Sequence, residues 1–176
     1  MEAILSDKID DVLEEGGFDF FHYRGCFDIA AKKDSMLLIK ILSNVDSFQE
    51  EQATNLKVMS KHLDARTFLV GLHTRREKLS DNVLYERFEV PTVTPGTFES
   101  IVLNDSFPSI CRLRGGLFVE IDPESLRAAR EESGMTQSEL ADRVGVTKKS
   151  IYEHEKKPIK IEYENAVKIE KILKAS

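Results

Sequence analysis

The sequence predicts an α/β domain, built on a mixed sheet flanked by helices, followed by an all-α domain. Residues 1–121 alternate between helical and strand-like hydrophobic patterns, whereas residues 122–176 show helical patterns alone. The dipeptide Asp122-Pro123 separates the two patterns, and proline is common in the first turn of a helix. Because 176 residues suffice for two small domains, we place the domain boundary between residues 121 and 122.

The first domain is predicted to begin with a helix and three strands. Residues 2–15 carry apolar side chains near one helical face, and Gly16-Gly17 then ends this helix. Strands are expected at 18–24, 26–32 and 35–42, joined by short turns. Since the third strand is almost entirely apolar, we expect it to be a central strand covered on both faces.

A second helix and a fourth strand follow in the first domain. The helix is predicted over 46–62, with Asp46 or Ser47 as its cap, and the buried strand over 66–74. The rest of the domain is predicted as short strands within 83–95, a short helix over 97–103 and a hairpin over 109–122 that turns at Gly115-Gly116.

The composition argues against a membrane-spanning or secreted protein. No apolar run approaches the ~18–20 residues that span a bilayer, and the amino terminus is acidic where a signal peptide would be basic, so we expect a cytoplasmic protein. Cys26 and Cys111 lie far apart without metal-ligand spacing, and we expect two buried thiols. No sequence motif indicates a bound cofactor, and the sequence does not identify a small-molecule effector.

The net charge of -6 is unevenly distributed. Residues 1–121 hold 14 Lys+Arg against 20 Asp+Glu, whereas residues 122–176 hold 11 of each. Within the second domain, residues 147–160 carry five lysines and two glutamates. A small basic face on a neutral domain is compatible with phosphate binding.

The second domain is predicted to contain four short helices. Glycine or proline ends the first three, as expected at helix termini. The helices are predicted over 123–133, 137–144, 148–157 and about 162–174.

The segment MTQSELADRVGVTKKSIYEHE, residues 135–155, is the most specific motif of the chain. Thr136 can cap the second helix, and the small Ala141 allows two helices to cross closely. Gly145 supplies the positive φ of a tight turn, and Ile151 anchors the third helix from inside. This pattern predicts two helices that cross steeply over a short turn. An ordinary helical hairpin in a structural bundle is the alternative.

Residues 123–174 resemble the helix-turn-helix of the lambda-repressor and Cro type, also called the XRE type. This resemblance implies double-stranded DNA as the partner and binding as a homodimer. It also implies that Gln137 binds a DNA phosphate, that Glu155 is structural, and that residues 147–153 open the recognition helix in the major groove. His154 is expected to be packed inside. The side chains expected to point towards DNA are Thr147, Lys148, Lys149, Ser150 and Tyr152.

The strand pair around Asp28 and Lys40 resembles the restriction-endonuclease-like core, whose metal-binding motif is PD, a gap, then (D/E)xK. Leu38 stands where this motif needs its second acid, and it shares a strand face with Lys40. Glu50 or Glu51 could replace the missing carboxylate, and an ion pair between Asp28 and Lys40 is the alternative. We therefore expect a degenerate motif, no bound metal and no catalysis.

Nearly the whole chain resembles an archaeal family of helix-turn-helix transcriptional regulators. The resemblance runs through FDIAAKKDSMLLIKILSNVDSF, VLYERFEVPTVTPGTFESIV and GGLFVEIDPESLRAAREESGMT. It implies a sequence-specific DNA-binding transcriptional regulator. A metal-dependent nuclease targeted by its helix-turn-helix, or a non-DNA adaptor, are the alternatives. Because members of that family commonly continue further, we expect the chain to be truncated at Ser176.

Overall fold

A computed structural model describes residues 2–113 and 115–174. The chain divides into two compact units, Met1–Pro108 and Ser109–Ser176. The first unit contains α1 Glu2–Glu15, β1 Asp19–His22, β2 Ile29–Lys32, β3 Met36–Ile41, α2 Glu50–Leu63, β4 Ala65–Val70, β5 Val83–Arg87, β6 Val90–Val93 and α3 Pro95–Asn104.

The first unit is built on a mixed sheet, as the sequence predicts. Its strand order is β1-β2-β3-β4-β6-β5, and β3 is central. β4 runs parallel to both β3 and β6, whereas the other neighbours are antiparallel. The crossover helix α2 joins the parallel strands β3 and β4, which is the usual connection between parallel neighbours.

Alternation along β3 divides the core of the first unit between the two faces of the sheet. Leu37, Ile39 and Ile41 pack with residues of α1 and α3, and we call this side the α1 face. Leu38 packs on the opposite side with Ala53 of α2, and we call this side the α2 face. Because successive side chains of a strand point to opposite faces, one apolar strand supplies both layers.

The second helix starts later than the sequence predicts. Residues Val45–Ser47 form a short 3-10 turn, capped by the Asn44 side chain, and α2 begins only at Glu50. The predicted cap residue Asp46 instead accepts a hydrogen bond from the Arg75 N–H, at 2.8 Å, and pairs with Arg87. These partners are distant in sequence, so a local pattern does not reveal them.

The second unit combines four helices with a small antiparallel sheet. Its elements are β7 Ile110–Leu113, β8 Gly116–Glu120, α4 Pro123–Glu132, α5 Gln137–Val144, α6 Lys148–Lys156, β9 Lys160–Glu162 and α7 Tyr163–Lys174. The four predicted helices and the predicted hairpin are present. β9 was not predicted, and its pairing with β8 groups the hairpin with this unit rather than with the first.

Side-chain caps fix the starts of α4 and α5 in the second unit. Asp122 accepts a hydrogen bond from the Ser125 N–H at 2.7 Å, and Thr136 and Glu139 cap α5 reciprocally. The bond from Thr136 lowers the pKa of the Glu139 carboxyl. Gly145, with φ of 85°, ends α5 in the left-handed region that glycine adopts without steric cost. In the part of the chain that the structure describes, no helix has the length and apolar character to cross a membrane.

Candidate nucleic-acid interface

Helix α6 presents polar side chains at its N-terminal end. Lys148 and Lys149 are exposed, Tyr152 is about half exposed, and Ser150 is partly buried. Thr147 caps the helix, and its Oγ1 accepts the Ser150 N–H at 3.1 Å. A hydroxyl that accepts one hydrogen bond still has its own proton to donate, so Thr147 can also bind an acceptor.

The opposite side of α6 is anchored in the core of the second unit. Ile151 is fully buried and packs with Leu140, Ala141 and Val144 of α5. The predicted roles of Ala141, Gly145 and Ile151 in a closely crossed helix pair therefore agree with the structure. The anchoring fixes which face of α6 is turned outward.

A buried ion pair joins α4 to the end of α6. Arg130 donates to both carboxylate oxygens of Glu155, with Nη2 at 3.1 Å from Oε2, and its Nη1 donates to the Met135 carbonyl at 2.7 Å. The hydrogen bond to Glu155 raises the pKa of the Arg130 guanidinium above its ordinary value. Two-point pairing of this kind adds geometric specificity as well as energy. Glu155 is therefore structural, as expected.

Gln137, at the start of α5, belongs to the same network. Its Nε2 donates to Glu155 Oε2 at 2.8 Å, and its side chain is partly buried. A primary amide has two N–H groups, so one donor remains for a phosphate oxygen. The pair of Arg130 and Glu155 thus orients Gln137, for which the helix-turn-helix resemblance implies a phosphate contact.

Two local contacts involve side chains on the outer face of α6. Lys149 Nζ lies 4.0 Å from Glu153 Oε1, one turn further along the helix, and Lys156 Nζ lies 5.6 Å from the centre of the Tyr152 ring. His154 is buried as expected, and neither of its ring nitrogens has a hydrogen-bond partner among the described residues. A packing role for His154 is consistent with this position.

The first unit contains a second candidate site, at Asp28 and Lys40. Asp28 precedes β2 directly, and Lys40 lies near the end of β3. Lys40 Nζ donates to Asp28 Oδ1 at 2.8 Å, and the Ile41 N–H donates to Asp28 Oδ2 at 2.7 Å. Lys40 Nζ also lies 3.3 Å from the Gly25 carbonyl oxygen. Both carboxylate oxygens are thus engaged by protein donors, in the ion pair that the sequence left as an alternative.

Comparison with known proteins shows which family the chain belongs to. Residues 2–108 match the model of the PD-(D/E)XK superfamily domain. The chain belongs to the PD-(D/E)XK superfamily. Residues 126–176 match a helix-turn-helix model, so the superfamily domain is followed by a helix-turn-helix domain. No solved structure matches the chain significantly.

Several archaeal relatives share the name "Putative HTH-type transcriptional regulatory protein". One from Pyrococcus furiosus is 43% identical over 149 residues, covering 84% of this chain and 47% of the relative. One from Pyrococcus horikoshii is 42% identical over 172 residues, covering 96% and 55%. One from Methanothermobacter thermautotrophicus is 35% identical over 169 residues, covering 94% and 54%. The chain spans about half the length of the curated relatives it matches.

The donor set of this superfamily member does not fit the metal that the motif name implies. Leu38, where the sequence resemblance expects the second acid, is fully buried in the core of the α2 face. The possible substitutes Glu50 and Glu51 lie exposed in the first turn of α2. No group of three or more His, Cys, Asp or Glu side chains within 2–113 and 115–174 is placed to hold a metal ion. Hard divalent cations need several oxygen ligands, and Asp28 offers one carboxylate that is already engaged.

Arg130 is the residue of the interface whose role the sequence did not reveal. Arg130 stands four residues after Leu126, a spacing that brings both side chains to one face of a helix, and both are buried in α4, an unusual place for a charged residue. An inward arginine signals a buried acidic partner, but Glu155 lies two helices further along the chain. The two predicted thiols, Cys26 and Cys111, are free, with Cys26 partly buried and Cys111 buried.

Proposed function

We propose that the protein is a sequence-specific DNA-binding transcriptional regulator that inserts α6 into the major groove. The observation that carries this proposal is the division of α6 into two sides. Ile151 and Glu155 hold the inner side, while Lys148, Lys149 and Tyr152 remain accessible on the other. The helix-turn-helix match and the names of the archaeal relatives support the same function. A role on DNA agrees with the cytoplasmic location expected from the sequence.

Each side chain of the interface has a role that its chemistry permits. Lysine can contact guanine O6 and N7 or a phosphate, whereas serine and threonine can contact any base. We assign the base edges to Lys148, Lys149, Ser150 and Tyr152. We assign phosphate contacts to Gln137, through its second amide N–H, and to the hydroxyl of Thr147.

We further propose that the protein binds DNA as a homodimer. Helix-turn-helix dimers read two half-sites about 34 Å apart, which brings both recognition helices to the same side of the duplex. Doubling the contacts in this way supplies the affinity that one short helix lacks. An operator with two inverted half-sites follows from this arrangement.

The salt dependence of DNA binding tests the role of α6. We expect Lys148→Ala with Lys149→Ala to weaken binding and, because two positive charges leave the DNA-facing surface, to lower the slope of log K against log salt; the largest expected drop is about 1.8, since each lysine that neutralises a phosphate contributes about 0.9. Fluorescence anisotropy with duplex DNA measures both quantities. The matched control is Lys168→Ala with Lys171→Ala, which removes two exposed lysines of α7 and changes the net charge equally. Equal losses in the two double variants would contradict the proposal.

Sequence specificity needs a separate test. Selection of binding sites from fragmented genomic DNA by the purified protein should enrich one motif, and footprinting should then protect it. Equal affinity for all duplexes would refute sequence specificity while leaving DNA binding intact. Protein binding that persists unchanged in Gln137→Ala with Lys149→Ala, together with no DNA binding, would favour the adaptor.

We propose that the superfamily domain serves as a scaffold and does not cleave DNA. The engaged carboxylate of Asp28 and the buried Leu38 support this proposal. Incubation of supercoiled plasmid with the protein and Mg²⁺ or Mn²⁺ should leave the plasmid intact. Cleavage that Asp28→Asn abolishes would instead establish the metal-dependent nuclease.

A further inference from the structure

Strand β1 forms an edge of the sheet in the first unit. Among the described strands it pairs with β2 alone. The Tyr23 N–H, directly after β1, donates to the Asp28 carbonyl at 2.7 Å, on the side of β2. Because backbone groups alternate in direction along a strand, the N–H and C=O groups of Phe20 and His22 point away from the sheet. Free edge groups of this kind are a template for another strand.

An apolar groove of about 620 Å³ lies beside this edge, on the α2 face. Phe21 is 56% exposed and Tyr23 52% exposed, and both line the groove. Exposed apolar side chains of α2 form its other wall, which consists of Val58, Met59 and Leu63. Large apolar surfaces that remain exposed mark interaction sites.

The electrostatic character of the groove favours a second copy of this chain as its occupant. None of the residues that line it is Asp, Glu, Lys, Arg or His. A two-fold axis places each residue near its own copy, so a charged patch would oppose its own charge. The net charge of -6 on the whole chain disfavours self-association, and a patch without charged side chains adds no local repulsion between two copies.

We propose that two copies of the chain associate through β1, in antiparallel register, with Phe21 on the two-fold axis. Residues that face each other across antiparallel strands lie on the same face of the sheet. The outward groups of Phe20 and His22 then bond to the partner's His22 and Phe20, and Tyr23 faces the partner's Asp19. Phe21 meets the partner's Phe21 on the α2 face, which brings the two apolar grooves together.

The size of this surface sets the expected affinity. A large aromatic side chain presents about 150–250 Å², so the exposed halves of Phe21 and Tyr23 contribute on the order of 200 Å². With the wall of α2, the patch reaches several hundred Å², below the roughly 800 Å² per partner of a standard interface. Backbone pairing between the two β1 strands adds to this buried area. We therefore expect a reversible dimer with a dissociation constant of micromolar order.

This inference deepens the proposed function, because it assigns the surface of the proposed homodimer. It does not require DNA, and it involves only residues of the first unit. Its test can therefore fail while the DNA-binding function of α6 stands.

Cysteine cross-linking in the full chain tests the register. In a Cys26→Ser background, Phe21→Cys should form an intermolecular disulfide, because facing residues of a non-hydrogen-bonded pair have Cα atoms about 4.5 Å apart. Tyr23→Cys alone should not, since its two copies lie about 14 Å apart along the strands. A mixture of Asp19→Cys and Tyr23→Cys proteins should cross-link to each other. Equal cross-linking at all positions, or none at Phe21→Cys, would overturn the register.

Sedimentation velocity of the DNA-free protein tests the surface. We expect the wild-type chain to dimerise between about 1 and 100 µM. Phe21→Asp should raise the dissociation constant at least about tenfold, because two carboxylates then face each other. The matched control Ile4→Asp changes an apolar residue of α1 that is even more exposed, at 74%, on the other face, and should leave the dimer unchanged.

The outcomes separate the two proposals. A wild-type chain that remains monomeric without DNA would overturn this surface, and the proposed homodimer would then have to assemble on DNA. A dimer that withstands Phe21→Asp would overturn this surface alone, and the homodimer would use another. Loss of DNA binding in the α6 variants is measured independently of either result.

Discussion

Each unit of the protein contains an ion pair with a buried cationic side chain, and the two pairs differ in how their carboxylates are surrounded. In the second unit, the side chains of Arg130 and Glu155 are 10% and 4% exposed, and they bind at two points. In the first unit, Lys40 is 10% exposed but Asp28 is 30% exposed, and one carboxylate oxygen of Asp28 accepts a backbone N–H.

The difference between the pairs indicates what each one stabilises. The pair of Arg130 and Glu155 links α4 to α6 and, through Gln137, to α5, so three helices of the helix-turn-helix depend on it. The pair of Asp28 and Lys40 links a turn to a neighbouring strand, where hydrophobic packing on both faces already fixes the sheet. One pair positions α6, whereas the other joins the two residues that the sequence resemblance assigns to a degenerate metal motif.

The largest effect is expected from placing an acid at Leu38, where the sequence resemblance expects the second acid of the motif. Leu38→Glu would bury a carboxyl group in the core of the α2 face, and would also remove the packing of a fully buried leucine. We expect a loss of about 5 kcal/mol or more in the free energy of unfolding of the first unit. Urea denaturation, with hydrogen exchange to assign the loss to β3 and β4, measures it.

The control for this substitution is Leu38→Met, which keeps the apolar character and about the same volume. It should cost less than about 1.5 kcal/mol. A stable Leu38→Glu protein that cleaves plasmid in the presence of Mg²⁺ would show that the first unit retains the means of catalysis. In that case the site would need only its second acid.

The next largest effect is expected at Glu155. Glu155→Ala leaves the guanidinium of Arg130 buried without its main partner and frees the side chain of Gln137. Breaking a buried pair by removing one partner costs about 3–5 kcal/mol. Hydrogen exchange should therefore show faster opening of α4 to α6, and DNA affinity should fall with it.

Glu170→Ala provides the matched control, because Glu170 pairs with Lys174 on the exposed surface of α7. Exposed pairs contribute about 1 kcal/mol or less. If Glu155→Ala were no more damaging than Glu170→Ala, the network would not be what orients α6.

The sequence predicts the elements whose signals are local. The helical spacing of 2–15, the apolar run of β3 and the glycine at 145 each act within a few residues, and the structure has α1, β3 and the turn after α5 where expected. The exposed and inward sides of α6 follow from the same periodicity. The division of that helix into a binding side and a core side could therefore be predicted without the structure.

The features that the sequence did not predict depend on partners distant in the chain. β9 has three residues, too few for a visible period, and it is a strand because Ile161 faces Val119 of β8. Asp46 is a plausible helix cap, but Arg75 and Arg87 use its carboxylate instead. The sequence around Phe21 does not reveal that its side chain is exposed, because exposure at a sheet edge depends on how the whole unit folds.

Of the substitutions at Leu38, Glu155 and Lys40, the one at Lys40 is expected to have the smallest effect. It directly tests the difference between the two ion pairs. Lys40→Met removes the cation but keeps an unbranched apolar side chain in the core. Asp28 retains the Ile41 N–H and partial access to water, so its charge is not left fully buried. We expect a loss of about 1–2 kcal/mol in the first unit, less than for Glu155→Ala in the second, measured by the same hydrogen exchange.

The control for Lys40→Met is Lys57→Met, since Lys57 and Glu89 form an exposed pair in the same unit. The control should change stability by about 0.5 kcal/mol or less. A loss in Lys40→Met as large as that in Glu155→Ala would mean that the turn before β2 depends on the ion pair for its structure. The pair of Asp28 and Lys40 would then stabilise the first unit as much as the network of Arg130, Glu155 and Gln137 stabilises the second.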